Sequence, residues 1–245
     1  KTHRKAGITG ALKNVVGING HKAYLPHHRK GGTASGGDCY SGSSHLKAFA
    51  EDVLDYVNRS ERRLLFRFGT ITAAVLGRIV EALGSDANLE GSWHGNDTVW
   101  RMTLDLQRIL HYGRLDGVID NTRQRPVLTI TDAVICGEME GPLEPSSKPL
   151  GLLTMSLSPS AADLVHAYLM GLDYRKVPIV REAFSPTIWP LAGGGVGAVR
   201  VLVDGKNRDP AEAGRLFGSK FEMPRFWAGH CELNNTLPRP TLVAE

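Results

Sequence analysis

Cysteine is scarce in this 245-residue chain, and its three copies lie far apart, at Cys39, Cys136 and Cys231. Because no two of them form a CxxC pair, the sequence argues against a disulfide framework and against a zinc or iron–sulfur site built from cysteines. We expect each cysteine to be a small buried apolar residue. A reducing cytoplasm is the simplest setting for such a chain.

Long apolar runs are absent as well. None approaches the roughly 20 residues that span a bilayer, and no secretory signal pattern is present, so we expect no membrane partner. The hydrophobic fraction of 42% and the charged fraction of 22% are those of an ordinary globular protein. The chain begins with Lys1 inside a motif-like segment, and we therefore expect an N-terminal portion of the fold to be missing from it.

Acidic residues are missing from the first 37 positions. Seven lysines and arginines precede the first acid, Asp38, although the net charge of the whole chain is only +4. A basic segment of this kind can bind nucleic acid or another acidic polymer. Its basic residues are interleaved with Gly, Asn and His, however, and this pattern favours a small anionic substrate over nucleic acid.

Apolar periodicity predicts helices over Leu46–Val57, Ile71–Leu83 and Asp97–Leu110. Strand candidates rich in Val, Ile, Leu and Thr occur at Val127–Ile135 and Leu152–Leu157. Between the two strand candidates the composition is that of a turn-rich connection, GEMEGPLEPSSKP.

Further along, Ser158 followed by Pro159 is typical of a helix start, and this helix is predicted to run to Met170. A short helix over Val177–Phe184 and a strand over Val199–Val203, ending in a tight turn, are also predicted.

This alternation of strands and helices implies an α/β fold, with a layered mixed or parallel sheet and flanking helices. Residues 1–205 are expected to form a single α/β domain that carries a site loop at 1–44. Residues 206–245 are expected to form a C-terminal extension.

The first thirty residues hold the densest group of chemically versatile side chains. Histidine combines metal ligation with acid–base chemistry near neutral pH. Lysine can hold an anion as a point charge or form a covalent link to a carbonyl, and glycine allows the backbone to approach a ligand closely. We interpret His3 as a catalytic residue, Lys13, Asn14, Gly7 and Gly10 as cofactor-binding residues, and His27 and His28 as metal ligands. A flexible basic surface loop is the alternative.

A second candidate surface is the turn before the helix at residue 97. Trp93 can stack on a ring, and His94 can donate a hydrogen bond, so we interpret them as a cofactor-binding and a catalytic residue. Asn96 or Asp97 as a helix N-cap would explain part of this cluster without any function.

Two carboxylates complete the candidate catalytic set. Asp132 lies in a strand candidate, and Glu140 follows in the Gly-rich turn. Ligands of α/β sheets gather at such strand ends, where a carboxylate can act as a general base or bind a divalent ion. Turn-forming residues in solvent are the alternative. Asp163, in the first turns of a helix, is expected to be structural.

Several segments resemble, in the same order, the family catalogued as domain of unknown function 362. The likeness covers roughly residues 1–185, but the resemblance implies no defined activity. Some family members carry ferredoxin-type iron–sulfur modules; this chain lacks the corresponding cysteines, so we expect no iron–sulfur cluster. The segments are KTHRKAGITGALKNVVGING, LPHH, SGGD, EGSWHGNDTVWRMTLDLQRIL, ITDAVICGEMEGP and PSAADLVHAYLMGLD.

A shorter pattern, HxxAGxxGxxK at residues 3–13, is similar to part of the nickel-pincer lactate racemase family. There a histidine transfers protons, a lysine anchors a pyridinium-derived cofactor, and a later histidine ligates nickel. The resemblance thus implies an acid–base role for His3, an anchoring role for Lys13, and nickel ligation by His27 or His28.

Two functions from different classes follow. The first is an enzyme, racemase- or isomerase-like, that acts by proton transfer on a small anionic or hydroxylated substrate. A divalent metal or a nickel-pincer-type cofactor would assist it. The second is a binding module for an acidic polymer, either polysaccharide or nucleic acid, that uses the basic N-terminal segment.

Overall fold

The computed structural model describes residues 1–21, 24–59, 71–72, 75 and 88–233. It contains two compact units, one formed by residues 1–25 and 100–245 and the other by residues 26–99. Helices combine with three small sheets, which confirms the α/β class. Within the described residues each sheet is an antiparallel pair of strands rather than a larger parallel or mixed sheet.

The first unit opens with a small hairpin, β1 (Thr2–His3) and β2 (Gly7–Ile8), followed by the short helix α1 (Ala11–Asn14). Gly7 has a left-handed φ of 79°, and a Cβ atom there would lie 2.8 Å from the Trp227 ring. Glycine is therefore required at this position both by backbone conformation and by packing.

A long hairpin forms the largest sheet. Strand β3 (Thr129–Glu140) pairs with β4 (Glu144–Ser156) in a register that places Thr131 opposite Thr154. Our prediction of a turn-rich connection between two shorter strands is wrong, since most residues of GEMEGPLEPSSKP belong to β3 or β4. Proline and glycine are tolerated there because each strand of a two-stranded sheet has an unpaired edge.

Three predicted helices, two in the first unit and one in the second, are confirmed, and each of their ends lies within two residues of its predicted position. They are α2 (His45–Arg59), α3 (Val99–Tyr112) and α4 (Pro159–Leu169). Ser158 caps α4, since its side chain accepts a hydrogen bond from the backbone N–H of Ala161. The helix predicted over Ile71–Leu83 lies for the most part outside the described residues.

The remaining elements are short. The helix predicted over Val177–Phe184 is an α-helical turn followed by a 3₁₀ turn, and the strand near residue 200 is confirmed as half of a hairpin. In chain order these elements are α5 (Pro178–Arg181), β5 (Val201–Val203), β6 (Lys206–Arg208) and α6 (Pro210–Phe217). The 3₁₀ turns are Val15–Ile18, Thr33–Ser35, Tyr174–Lys176, Glu182–Phe184 and Val196–Ala198.

The hydrophobic core of the first unit packs α1, α3 and α4 together through Leu12, Leu104 and Leu164. Residues 206–233, which belong to the predicted C-terminal extension, contribute Phe221 and Trp227 to this core. Each of these aromatic side chains removes a large apolar area from water. No helix in the described part of the chain is long and apolar enough to cross a bilayer.

One of the buried polar side chains has a ring nitrogen without a hydrogen-bond partner in the described part of the chain. The side chain of His111, in α3, is only 1% exposed, and its Nδ1 atom has no hydrogen-bond partner among the described residues. Burial, reinforced by the positive charges of Arg123 and Arg125, lowers the pKa of His111 to about 4. The fold therefore holds this imidazole in its neutral form.

We expect the stability of the protein to fall as the pH is lowered from 6.5 toward 4. The unfolded chain takes up a proton on His111 in this window and the folded chain does not, which amounts to on the order of 3 kcal/mol. Denaturant unfolding at several pH values measures the slope, and His111→Gln should flatten it. The exposed His21 provides the control, since His21→Gln should leave the slope unchanged; an equal slope in both variants would contradict the assignment.

Candidate functional site

Lys13 is the most unusual side chain of the first unit. It lies in α1 and is only 7% exposed, yet its ammonium group makes no hydrogen bond or ion pair with any residue that the structure describes. Burial, followed by the charges of Lys5 and Lys1, lowers the pKa of Lys13 to about 8. The side chain is thus a desolvated cation near two further cations.

This environment has two chemical consequences. An unpaired buried charge is costly, and a bound anion would offset that cost. A lysine with a pKa near 8 also exists partly as the neutral amine at physiological pH, and the neutral amine is the nucleophilic form.

A cavity of about 350 Å³ lies beside α1 and brings several predicted site residues together. Gly10, Asn14 and Asp132 all line it, as does Lys1. Lys13 itself does not line this cavity, although the charge of Lys1, which does, contributes to lowering the pKa of Lys13. Asp132 is exposed and accepts a hydrogen bond from the N–H of Val134 at 3.0 Å through only one of its carboxylate oxygens.

His3 is held in one tautomer. Its side chain is 5% exposed, and its Nδ1 atom accepts hydrogen bonds from the backbone N–H groups of Lys5 at 3.0 Å and Ala6 at 3.2 Å. The neutral ring therefore carries its proton on Nε2. His3 can donate from Nε2, but protonation of Nδ1 would break two hydrogen bonds. Its predicted acid–base role remains a prediction, and donation is the part that this geometry favours.

Gly10 allows a carboxylate to reach the start of α1. Asp163 accepts hydrogen bonds from the N–H groups of Ala11 at 2.7 Å and Leu12 at 2.9 Å. A Cβ atom at Gly10 would lie 2.1 Å from an oxygen of Asp163. Asp163 itself is fully buried, and these contacts favour the predicted structural role.

The Glu140 carboxylate connects the N-terminal hairpin with the segment around residue 225. One of its oxygens accepts from Arg4 Nε at 2.7 Å, and the other accepts from the backbone N–H of Arg225 at 2.7 Å. Both oxygens are engaged, so the geometry favours a structural role, and the predicted catalytic role stays untested.

In the second unit the two motifs SGGD and WHGND meet at Asp38. The buried carboxylate of Asp38 accepts a hydrogen bond from the N–H of Asp97 at 2.9 Å. The backbone carbonyl oxygen of Asp38 accepts one from Trp93 Nε1 at 2.8 Å. The Asn96 side chain accepts from the N–H of Val99, the first residue of α3, at 2.9 Å. Trp93 is 9% exposed and packs edge-on against His94, with ring centroids 5.0 Å apart.

His27 and His28 are both half-buried in the second unit. The backbone carbonyl of His27 accepts from the Asn96 side chain at 2.9 Å. No group of three or more His, Cys, Asp and Glu side chains that could hold a metal ion occurs in the portion of the chain that is described. Metal ligation by this pair therefore remains a prediction.

His166, in the first unit, lines the same cavity as Gly10, Asn14 and Asp132 but was not predicted. Its Nδ1 atom lies 2.9 Å from Asp163 Oδ1. The signal in the sequence is the i, i+3 spacing of Asp163 and His166 on one helix. The cysteines, by contrast, are poor thiolates, since burial raises the pKa of all three thiols, that of Cys231 to about 12.

The sequence matches the family described as Domain of unknown function (DUF362) over residues 1–168. This is more than half of the chain, which therefore belongs to the DUF362 family. No curated protein and no solved structure matches it. Membership of this family indicates common ancestry but no defined activity.

Replacement of Gly10 by alanine should disrupt the start of α1. The new Cβ atom would displace Asp163 from the two N–H groups that it accepts from, and we expect a loss of on the order of 2–4 kcal/mol in the free energy of unfolding. Gly17→Ala is the matched control, because no atom lies within 4 Å of a Cβ at that position. Equal stabilities of the two variants in denaturant unfolding would contradict this account.

Proposed function

We propose that this protein is an enzyme that acts by proton transfer on a small anionic substrate bearing a carbonyl group, with Lys13 at the centre of its site. The observation that carries the proposal is Lys13, a residue only 7% exposed whose ammonium has no partner among the described residues and whose pKa is lowered to about 8. A carboxylate or phosphate on the substrate supplies the negative charge that this cluster of lysines lacks.

The geometry favours covalent chemistry at Lys13. The neutral amine adds to the substrate carbonyl, a molecule of water leaves, and the resulting iminium makes the adjacent C–H acidic. Asp132 is the predicted acid that lines the neighbouring cavity, and one of its oxygens makes no hydrogen bond with the described residues. In this proposal Asp132 accepts the proton and returns it to carbon, and water then hydrolyses the iminium, which frees the isomerised or racemised product and the Lys13 amine.

Lys13 also fits a second use of the same amine. The weaker resemblance implies covalent attachment of a pyridinium-derived, nickel-carrying cofactor, and a desolvated lysine without a partner is chemically suited to form that link. The cofactor would supply the redox chemistry, while this chain supplies the point of attachment. Peptide mapping of protein from cells that make the cofactor tests this use directly, because an added mass on Lys13 is expected.

Lys13→Met should make the free protein more stable while it removes function. The folded pKa lies below the unfolded value of 10.5, so the charged form is penalised at all pH values below 8. Stability of the wild type should rise between pH 8 and pH 10.5, and the variant should lack this rise. At pH 7 we expect a gain on the order of 1–3 kcal/mol.

Lys47 is the matched control for this experiment. It is 6% exposed, but its ammonium donates to Asn88 Oδ1 at 3.1 Å and lies 5.2 Å from the centre of the Tyr40 ring. Lys47→Met should therefore destabilise the protein. A loss of stability in Lys13→Met of the same size would mean that Lys13 is an ordinary structural residue.

Reductive trapping tests the chemistry. Pyruvate or glyoxylate with cyanoborohydride at pH 7.5 should modify Lys13 in preference to the exposed lysines, and acetone, which carries no charge, should modify it less. Lys5→Ala should reduce the preference for the charged probes, because Lys5 contributes to the positive field. Labelling that follows surface exposure alone would overturn the proposal. Binding of heparin or single-stranded DNA that weakens steeply with salt, without trapping, would favour the acidic-polymer alternative.

A further inference from the structure

A hydrogen-bonded relay of three side chains joins α4 to β4. Thr154 Oγ1 lies 3.3 Å from His166 Nε2, and His166 Nδ1 lies 2.9 Å from Asp163 Oδ1. The two N–H groups at the start of α1 also donate to Asp163, which holds the carboxylate in place. Because a carboxylate can only accept, Nδ1 carries the ring proton and Nε2 presents its lone pair to the Thr154 hydroxyl.

This orientation is the one that activates a hydroxyl as a nucleophile. The imidazole is positioned to take the hydroxyl proton, and a buried carboxylate fixes its tautomer and stabilises the imidazolium that forms. Asp163 is 0% exposed and His166 is 8% exposed, so solvent competes little for either bond.

The hydroxyl end of the relay opens on a groove of about 570 Å³. Thr154 and His166 both line it, and most of its other walls are apolar. They come from β4, α4, β5 and α6, and include Leu152, Val165, Leu169, Val201, Val203 and Phe217. A reactive group at the wall of an apolar groove suits a substrate whose reacting carbonyl carries an apolar chain.

The edge of β4 adds suitable donors. Within the described residues β4 pairs with β3 alone, and the N–H groups of residues 152–156 make no hydrogen bond outside that ladder. Since N–H groups alternate between the two edges of a strand, some remain available to an oxyanion.

We propose that Thr154 is the nucleophile of an acyl-transfer site for an ester or thioester with an apolar acyl chain. Thr154 Oγ attacks the carbonyl carbon, and its proton passes to His166 Nε2. Collapse breaks the bond to the alcohol or thiol, which leaves with that proton. Water then attacks the Thr154 ester, His166 takes the proton from the water and returns it to Thr154, and a carboxylic acid is released. Asp163 is a positioning residue throughout.

The test combines turnover with covalent labelling of the full chain. p-Nitrophenyl esters from acetate to octanoate should be hydrolysed, with a preference for the longer chains, and a fluorophosphonate probe should attach to Thr154 in peptide mapping. Thr154→Val should reduce both to background, Thr154→Ser should retain both, and His166→Gln should lower turnover about 100-fold or more. Thr131→Val, which alters the cross-strand neighbour of Thr154, is the matched control and should keep full activity.

Three results would overturn the proposal. One is turnover that survives Thr154→Val, and another is a probe adduct on a different residue. The third is wild-type protein with neither ester hydrolysis above background nor a fluorophosphonate adduct. The adduct is read on the wild type, so the proposal stays testable even if Thr154→Val does not fold.

Discussion

The first unit depends on the hydrogen bonds that the Asp163 carboxylate accepts. This side chain is fully buried, and a buried carboxylate is tolerated only when its lone pairs are occupied. Two backbone N–H groups of α1 and the ring of His166 occupy them. The same group therefore fixes where α1 lies on α4 and in which direction His166 presents its second nitrogen.

Lys13 is the electrostatic opposite of Asp163. Lys13 lies in α1 and Asp163 in α4, and Asp163 connects the two helices. The Asp163 carboxylate accepts hydrogen bonds at both oxygens, whereas the Lys13 ammonium has no partner among the described residues. Local rules of polar satisfaction are most often broken at functional positions, where the cost is retained for a purpose. This asymmetry is the physical basis of the role proposed for Lys13.

The helices were predictable because their signals are local. Ser158 and Pro159 mark the start of α4, and one-sided apolar spacing marks α2 and α3. The full length of the β3–β4 hairpin was not predictable, since prolines and glycines read as a turn and become strand residues only where an edge is free.

The candidate site was only partly predictable, because several of its contacts join residues that lie far apart in the sequence. The sequence indicated residues that line the cavity, Gly10, Asn14 and Asp132, but it could not show that Glu140 would be held by Arg4 and by the backbone of Arg225. Nor could it show that Asp163 serves a helix more than 150 positions earlier in the chain. Contacts of that sequence separation leave no periodic trace.

The contact between Trp227 and the N-terminal hairpin has a consequence for how the protein is made. Trp227 Nε1 donates to the carbonyl oxygen of Arg4 at 2.7 Å, across 223 positions, and its ring covers Gly7. During synthesis the hairpin must wait until residue 227 has emerged before this contact can form. Closure of so long a loop is slow compared with helix formation. The hairpin therefore reaches its native environment only after the residues between it and Trp227 have been translated.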